Sequence, residues 1–149
     1  MFNFAIILSR LNYNTLAQAA KKKILVAEDD LAMREIAVHK LLSLGFDVKE
    51  AEDGKQALEL IASFRPDLIL LDLMMPEVDG FGVLEALRNN PDKVLSQIPV
   101  IVLSNLWSNE DILKAKDYAV ADYLVKAYFT PEEISAKVTA VLEGKNKKL

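Results

Sequence analysis

The chain has 149 residues, of which 52% are hydrophobic and 27% are charged, and this composition excludes a wholly disordered chain. The length is sufficient for one domain with a substantial core. A net charge of −4 does not favour nucleic-acid binding, and the absence of cysteine excludes disulfides, thiolate metal sites and cysteine nucleophiles. Because the chain has one histidine, its chemistry must come mainly from carboxylates, hydroxyls and lysines.

The two ends of the chain differ in composition from the rest. Residues 1–8 are mostly apolar, and Ala17-Gln18-Ala19 is similar to a signal-peptidase site, but no basic residue precedes the apolar run, which disfavours a cleaved signal. We predict a flexible or helical N-terminal extension over residues 1–22, a folded domain over residues 23–143 and a basic tail over residues 144–149. No run of about 18 apolar residues occurs, so no membrane span is expected.

Short aliphatic runs alternate with amphipathic stretches along the folded region. The aliphatic runs predict strands, at residues 24–27, 47–51, 68–71, 100–103 and 123–125. The amphipathic stretches predict helices, at residues 31–44, 54–64, 81–88, 109–116 and 131–143. The first helix is placed by Met33, Ile36, Ala37, Leu41 and Leu44, which have near-helical spacing. Five strand–helix units of this kind predict an α/β fold with a parallel sheet and helices on both of its faces.

Polar side chains follow four of the five predicted strands. Glu28 and Asp29 follow the first strand, Asp72 the third, Ser104 the fourth and Lys126 the fifth. The carboxyl ends of parallel strands share one edge of the sheet, which is where such sheets bind ligands. Converging carboxylates repel one another unless a cation such as Mg²⁺ relieves them, and a lysine with a hydroxyl suits a phosphoryl group. A single aspartate after a strand is usually a helix cap, and a single lysine there is usually solvated. The occurrence of all these residues at the same end of the sheet therefore supports a functional site.

These segments together resemble the receiver domain of bacterial two-component response regulators. The matching segments are residues 24–30, 67–80, 98–104 and 122–126. The most specific of them is the Asp-x-x-Met-Pro-x-x-Asp-Gly motif of residues 72–80. The resemblance covers residues 23–143 and implies a flavodoxin-like, doubly wound sheet of five parallel strands in the order 2-1-3-4-5, with helices on both faces.

The resemblance implies a role for each carboxylate of the site. Asp72 is the expected phosphoacceptor, which receives a phosphoryl group from a histidine kinase or a phosphotransfer protein. Asp29, Asp72 and the main-chain carbonyl of Met74 are the expected ligands of Mg²⁺, with Mn²⁺ as a substitute. Glu28 is expected to act through a coordinated water, and Asp30 is better explained as a helix cap than as a ligand.

The resemblance also implies residues that stabilise the phosphoryl group and respond to it. Ser104 is expected to hydrogen-bond the phosphoryl oxygens and Lys126 to pair with them. Ser104 and Tyr123 are the expected switch residues. Met74 and Asn105 flank the path of an attacking water, and we predict from their positions that they set the rate of dephosphorylation.

The implied protein is a signalling module whose only chemistry is self-catalysed phosphoryl transfer and autodephosphorylation. We expect a stand-alone, chemotaxis-regulator-like receiver in the bacterial cytoplasm, with no nucleic-acid binding of its own and no membrane association. Its unidentified protein target would dock on the face made by the fourth helix, the fifth strand and the fifth helix. That face could also pair two copies of the chain.

One departure from the family pattern keeps a second interpretation open. Ala127 follows Lys126 where the family usually has proline, which puts the geometry of Lys126 in question. A pseudo-receiver, which binds partners without phosphorylation, is the alternative. An aspartyl phosphatase needs Asp-x-Asp and has Met74 at the second position, and a flavin site is disfavoured because acidic residues follow the first strand.

Overall fold

Within residues 21–145, which the computed structural model describes, five parallel strands form one sheet in the order β2-β1-β3-β4-β5. The strands are β1 (Lys23–Ala27), β2 (Asp47–Ala51), β3 (Leu68–Leu71), β4 (Val100–Ser104) and β5 (Asp122–Val125). The predicted strand order and fold class are therefore confirmed. The signal-like tripeptide and most of the predicted extension, together with residues 146–149 of the tail, lie outside the described residues, so the predicted domain limits stay predictions.

Within residues 21–145, five helices of two or more turns connect or follow the strands. They are α1 (Leu31–Ser43), α2 (Gly54–Phe64), α3 (Gly80–Arg88), α4 (Asn109–Lys116) and α5 (Pro131–Leu142). The predicted boundaries agree to within one residue. Two single turns were not predicted, an α-helical turn at Lys93–Ser96 and a 3₁₀ turn at Lys126–Tyr128.

Side-chain caps explain where the helices begin. Thr130 and Glu133 form a full capping box at the start of α5, with proline in the first turn, as predicted. Asp30 accepts a hydrogen bond of 2.9 Å from the Met33 N–H at the start of α1, so it is a cap. Ser108 caps α4 in the same way. Each such cap stabilises its helix by about 1 kcal/mol.

The sheet is buried on both faces because helices cover each of them. Alternate β1 residues point to opposite sides, with Leu25 in the core under α2, α3 and α4, and Ile24 in the core under α1 and α5. Full burial of one such side chain is worth about 1.5–3 kcal/mol. The two cores fix the sheet, and with it the strand ends that carry the predicted site. No helix within residues 21–145 is long and apolar enough to cross a membrane.

The Asp79-Gly80 pair holds the start of α3 against the end of β3. Asp79 caps the helix by accepting a 2.8 Å bond from the Gly82 N–H, and the Gly80 N–H donates to the Leu73 carbonyl at 3.0 Å. A Cβ atom at Gly80 would collide with the Asp72 carbonyl and the Leu73 Cα. Glycine is required here because two stretches of backbone approach closely, next to the predicted phosphoacceptor.

Candidate phosphoacceptor site

Strand pairing brings the predicted site residues to one edge of the sheet. Ala27 is in register with Leu71 on β1 and β3, and Ser104 is in register with Val125 on β4 and β5. Glu28 and Asp72 each follow the strand end and are 5% exposed. The loops after β1, β3 and β5 therefore converge above the sheet, as the parallel topology predicts.

Three carboxylates form an acidic cluster at this edge. Glu28, Asp29 and Asp72 each offer an oxygen, and these oxygens lie within 4.8 Å of one another. Asp29 is exposed, whereas the other two are buried, so the cluster opens to solvent on one side. A few carboxylates with access for water match the preference of Mg²⁺, which keeps several of its waters. The donor set therefore fits this ion.

Lys126 bridges the two buried carboxylates of the cluster. Its Nζ lies 2.8 Å from Asp72 Oδ2 and 2.5 Å from Glu28 Oε2, and its side chain is 9% exposed. Burial alone would lower the pKa of Lys126, but the hydrogen bonds to Asp72 and Glu28 outweigh it, so the pKa is raised and the ammonium form is favoured. Ala127, in the 3₁₀ turn that follows, therefore does not displace the Lys126 ammonium from the acidic cluster.

The environment of Glu28 differs from that of an ordinary surface carboxyl. Burial raises the pKa of Glu28, and the negative charge of Asp72 raises it further, although the hydrogen bond from Lys126 opposes both. The other carboxylate oxygen of Glu28, Oε1, accepts a 3.2 Å hydrogen bond from the Asp30 N–H. Glu28 is thus held between the backbone of its own loop and Lys126.

Ser104 and Tyr123 are joined through one residue of the loop after β4. The fully buried Ser104 Oγ accepts a 3.3 Å bond from the Leu106 N–H, and the Tyr123 hydroxyl donates to the Leu106 carbonyl at 2.7 Å. Burial, with the charges of Asp111 and Asp72, raises the pKa of Tyr123 to about 12. A displacement of Ser104 would therefore act on Tyr123 through Leu106.

The two residues that are predicted to set the rate of dephosphorylation are both exposed. Met74 is 58% exposed, and its N–H donates to Asp72 Oδ1 at 3.1 Å. Asn105 is exposed directly after Ser104. Their surface positions give both side chains access to the solvent side of the site, while the role of the Met74 carbonyl as a metal ligand stays a prediction.

Arg34 supports the site and was missed by the sequence analysis. It is 7% exposed on α1, and its Nη1 donates to the Glu28 carbonyl at 2.8 Å and to the Asp29 carbonyl at 3.4 Å. Its Nε lies 3.8 Å from Glu50 on β2. Arg34 fixes the loop that carries two of the three clustered carboxylates. The sequence offered no distinct signal for this role, because α1 also carries Glu35, His39 and Lys40.

This geometry agrees with the comparisons to known proteins. The chain belongs to the response regulator receiver domain family, whose model matches residues 24–139. Among solved structures, the chemotaxis protein CheY4 of Vibrio cholerae is similar, with a TM-score of 0.75 and 30% identity over 82% of this chain and 99% of that chain. The receiver domain of the Francisella response regulator 1452 has a TM-score of 0.74 and 35% identity, covering 85% of this chain and all of that one.

The curated relatives are longer than the matched region. The probable transcriptional regulator ycf27 of Guillardia theta is 36% identical over 127 residues, which are 85% of this chain and 48% of that protein. The DNA-binding dual master transcriptional regulator RpaA of Synechocystis is 40% identical over 120 residues, covering 80% of this chain and 48% of that protein. The chain thus spans about half the length of the curated relatives it matches.

Proposed function

We propose that Asp72 accepts a phosphoryl group from a phosphohistidine of a sensor kinase or phosphotransfer protein, with Mg²⁺ at the acidic cluster. The observation that carries this proposal is the buried Asp72 carboxylate, which contacts the Lys126 ammonium and shares the metal-suited cluster with Glu28 and Asp29. A structural ion pair needs no second and third carboxylate at the same point, because like charges there are unfavourable.

The transfer exchanges one phosphorus bond for another. An Asp72 carboxylate oxygen forms a bond to phosphorus as the bond from phosphorus to the histidine nitrogen breaks, and that nitrogen keeps the electron pair. Lys126 stabilises the charge on the phosphoryl oxygens, and the buried Ser104 hydroxyl turns toward them. Mg²⁺, which Asp29, Asp72 and the main-chain carbonyl of Met74 would hold directly and Glu28 through a water, would supply further neutralisation of that charge.

Hydrolysis of the acyl phosphate resets the protein. A water oxygen forms a bond to phosphorus from the solvent side as the bond from phosphorus to the Asp72 oxygen breaks. The Asp72 carboxylate keeps the electron pair, and inorganic phosphate leaves with the oxygen of the water. Met74 and Asn105 lie at the rim on this side, so their size and polarity set how often a water reaches the phosphorus in line. An unchanged rate of phosphoryl loss in both Met74→Ala and Asn105→Ala would contradict this role.

The output is a change of the face made by α4, β5 and α5. A phosphoryl group adds charge next to Ser104, and the bonds from Ser104 through Leu106 to Tyr123 carry its displacement to β5. Leu113 on α4 is 61% exposed and offers apolar contact area to a target protein or to a second copy. The predicted cytoplasmic location follows from this signalling role.

Control of transcription is a second candidate output. The curated relatives are named as transcriptional regulators, and this chain matches about half of their length. The predictions of a stand-alone receiver and of no nucleic-acid contact are therefore not supported by these relatives. Gel-shift titration of the protein with and without phosphorylation, against genomic DNA fragments, would separate a DNA-linked output from a purely protein-linked one.

Phosphorylation by acetyl phosphate and Mg²⁺, followed by intact mass, tests the proposed function. We expect a gain of one phosphoryl group, which is lost in Asp72→Asn and on removal of the metal. Asp117→Asn is the matched control, because Asp117 is an exposed carboxylate at the end of α4. Phosphoryl uptake that persists in Asp72→Asn would overturn the assignment of Asp72. A parent protein that neither gains a phosphoryl group nor binds beryllofluoride would favour the pseudo-receiver.

A further inference from the structure

A cavity of about 210 Å³ lies between α1, α5 and the face of the sheet that they cover. Its walls come from both helices, from β1, β3 and β4, and from the segment before α5. Met33 and Ile36 are 37% and 49% exposed at its rim, whereas Leu41 and Leu70 in its wall are almost fully buried. The space is therefore enclosed below and reached from the surface of α1.

The lining of this cavity is mostly hydrocarbon, and its buried polar groups have partners within the protein. The Ser135 hydroxyl donates to the Glu132 carbonyl at 2.8 Å, and the Lys40 ammonium lies 3.9 Å from the Glu132 carboxylate. Glu28 and Asp72, at the inner end, are both bound to Lys126. A polar guest would leave water, while the buried Ser135, Glu28 and Asp72 side chains are bound to other groups of the protein, and this loss of hydration is unfavourable.

We propose that this cavity is a binding site for a small, neutral, apolar molecule of the size of a one-ring aromatic compound. An apolar cavity of about 150 Å³ stays dry and takes up benzene, and the present one is larger. An apolar guest gains contact with the lining and leaves no polar group unpaired. Pockets with apolar walls and a few polar groups at one end are the usual form of small-molecule sites.

The cavity shares its walls with the phosphoacceptor site. Glu28 and Asp72 line it directly, Leu103 in its wall precedes Ser104, and Phe129 in its wall follows Lys126 by three residues. A guest thus contacts two carboxylates of the site, Glu28 and Asp72, and one residue that precedes Ser104 in the chain. If phosphorylation or metal binding rearranges these residues, it changes the binding free energy of the guest. By reciprocity, the guest changes the free energy of that phosphorylation or metal binding by the same amount.

Titration of the full 149-residue protein with toluene, followed by NMR, tests the proposal. We expect saturable shifts of the methyl groups of Leu103 and Ile134 and of the amides of Glu28 and Asp72. Benzoate, which has a similar size and a charge, should cause none of these shifts. The protein is kept unphosphorylated and metal-free, so a failure of the proposed phosphorylation leaves this test unaffected.

Matched variants on α1 locate the toluene. Ala37 lines the cavity, and Ala37→Leu should weaken binding at least tenfold because the added carbons fill the space, given that a pocket discriminates one methylene by roughly 10–200-fold. Ala32 is exposed on the same helix and away from the lining, so Ala32→Leu should bind as the parent does. Phe129→Ala enlarges the cavity and should admit naphthalene. Shifts that do not saturate, or equal affinities in Ala37→Leu and Ala32→Leu, would overturn the proposal.

Discussion

Lys126 illustrates how one buried cation makes a cluster of carboxylates tolerable. Its ammonium contacts Asp72 and Glu28, and all three side chains are less than a tenth exposed. Removal of one partner from a buried ion pair costs roughly 3–5 kcal/mol, because a buried charge is left uncompensated. The same contact holds Lys126 where a phosphoryl group on Asp72 would sit.

We expect Lys126→Met to lower the free energy of unfolding by roughly 3–5 kcal/mol and to reduce phosphoryl uptake. Added Mg²⁺ should recover more stability in this variant than in the parent, because a divalent ion can take over the neutralisation. Urea unfolding with and without Mg²⁺ measures both effects. Lys137→Met is the control, since Lys137 is 40% exposed and lies 3.6 Å from Asp122, and such pairs are worth at most about 1 kcal/mol. Equal losses in the two variants would contradict this account.

Tyr123 is a second residue whose surroundings predict a measurable property. Its raised pKa of about 12 compares with about 10 for free tyrosine, so the folded state holds the phenol proton more tightly than the unfolded chain. This contribution to stability is complete below pH 10 and is lost as the pH rises through 12. The ultraviolet difference titration of the parent minus Tyr123→Phe should show one phenol ionising near pH 12. A difference transition near pH 10 would show that the phenol is not buried beside Asp111 and Asp72 in solution.

The residues of the site were predictable because strand order and parallel direction together fix which loops meet. Glu28, Asp72 and Lys126 each follow a strand, so their convergence needs no knowledge of side-chain packing. Arg34 was not predictable in this way, because its ionic partner on β2, Glu50, is brought to it only by the pairing of β1 with β2. A sequence shows that an arginine lies on a helix, but not which distant carboxylate faces it.

At the scale of elements, α1 shows what helical spacing leaves undetermined. The spacing of Met33, Ile36 and Leu44 predicted a helix that the structure contains, but all three side chains are at least one-third exposed, and Leu41 is the fully buried apolar residue of the helix. Helical spacing identifies an apolar stripe without showing how much of that stripe a neighbouring element covers. Part of the uncovered stripe forms the rim of the cavity beside α5.

The junction of β3 and α3 depends on a glycine in a way that the motif alone does not explain. We expect Gly80→Ala to lower the free energy of unfolding by about 1–3 kcal/mol, because its Cβ atom would meet backbone that cannot move aside. Gly82→Ala, in the same helix, would meet mainly the end of the Val78 side chain and gains helix propensity, so its loss should be smaller. Chemical unfolding of both variants measures the difference, and an equal or larger loss in Gly82→Ala would refute the backbone argument.

For the molecule as a whole, the alternation of strands and helices was enough to predict a two-sided parallel sheet. Burial on both faces explains why the strands read as continuous aliphatic runs, such as Ile24-Leu25-Val26-Ala27 on β1. The turn at Lys93–Ser96 was missed because four residues are too few to show a period. Its cap, Asp92, is bound by Arg65 at 2.8 Å, a contact between residues 27 positions apart that no local pattern reveals.

The acidic cluster links metal binding to the stability of the whole fold. The three carboxylates converge only when β1 and β3 are paired, so the unfolded chain offers Mg²⁺ no such site. An ion that binds only the folded state stabilises it by about 2.7 kcal/mol at a concentration 100 times its dissociation constant. We therefore expect the thermal midpoint to rise with Mg²⁺ concentration.

Asp29→Asn should abolish most of this rise, because it removes the negative charge and one carboxylate oxygen on the side where the cluster opens to solvent. Asp47→Asn is the matched control, since Asp47 is an exposed carboxylate at the start of β2, the opposite end of the sheet. Differential scanning calorimetry over a series of Mg²⁺ concentrations, at constant ionic strength, separates specific binding from screening. A rise of the same size in Asp29→Asn and Asp47→Asn would place the ion elsewhere on the protein and would remove the metal from the proposed phosphoryl transfer at Asp72.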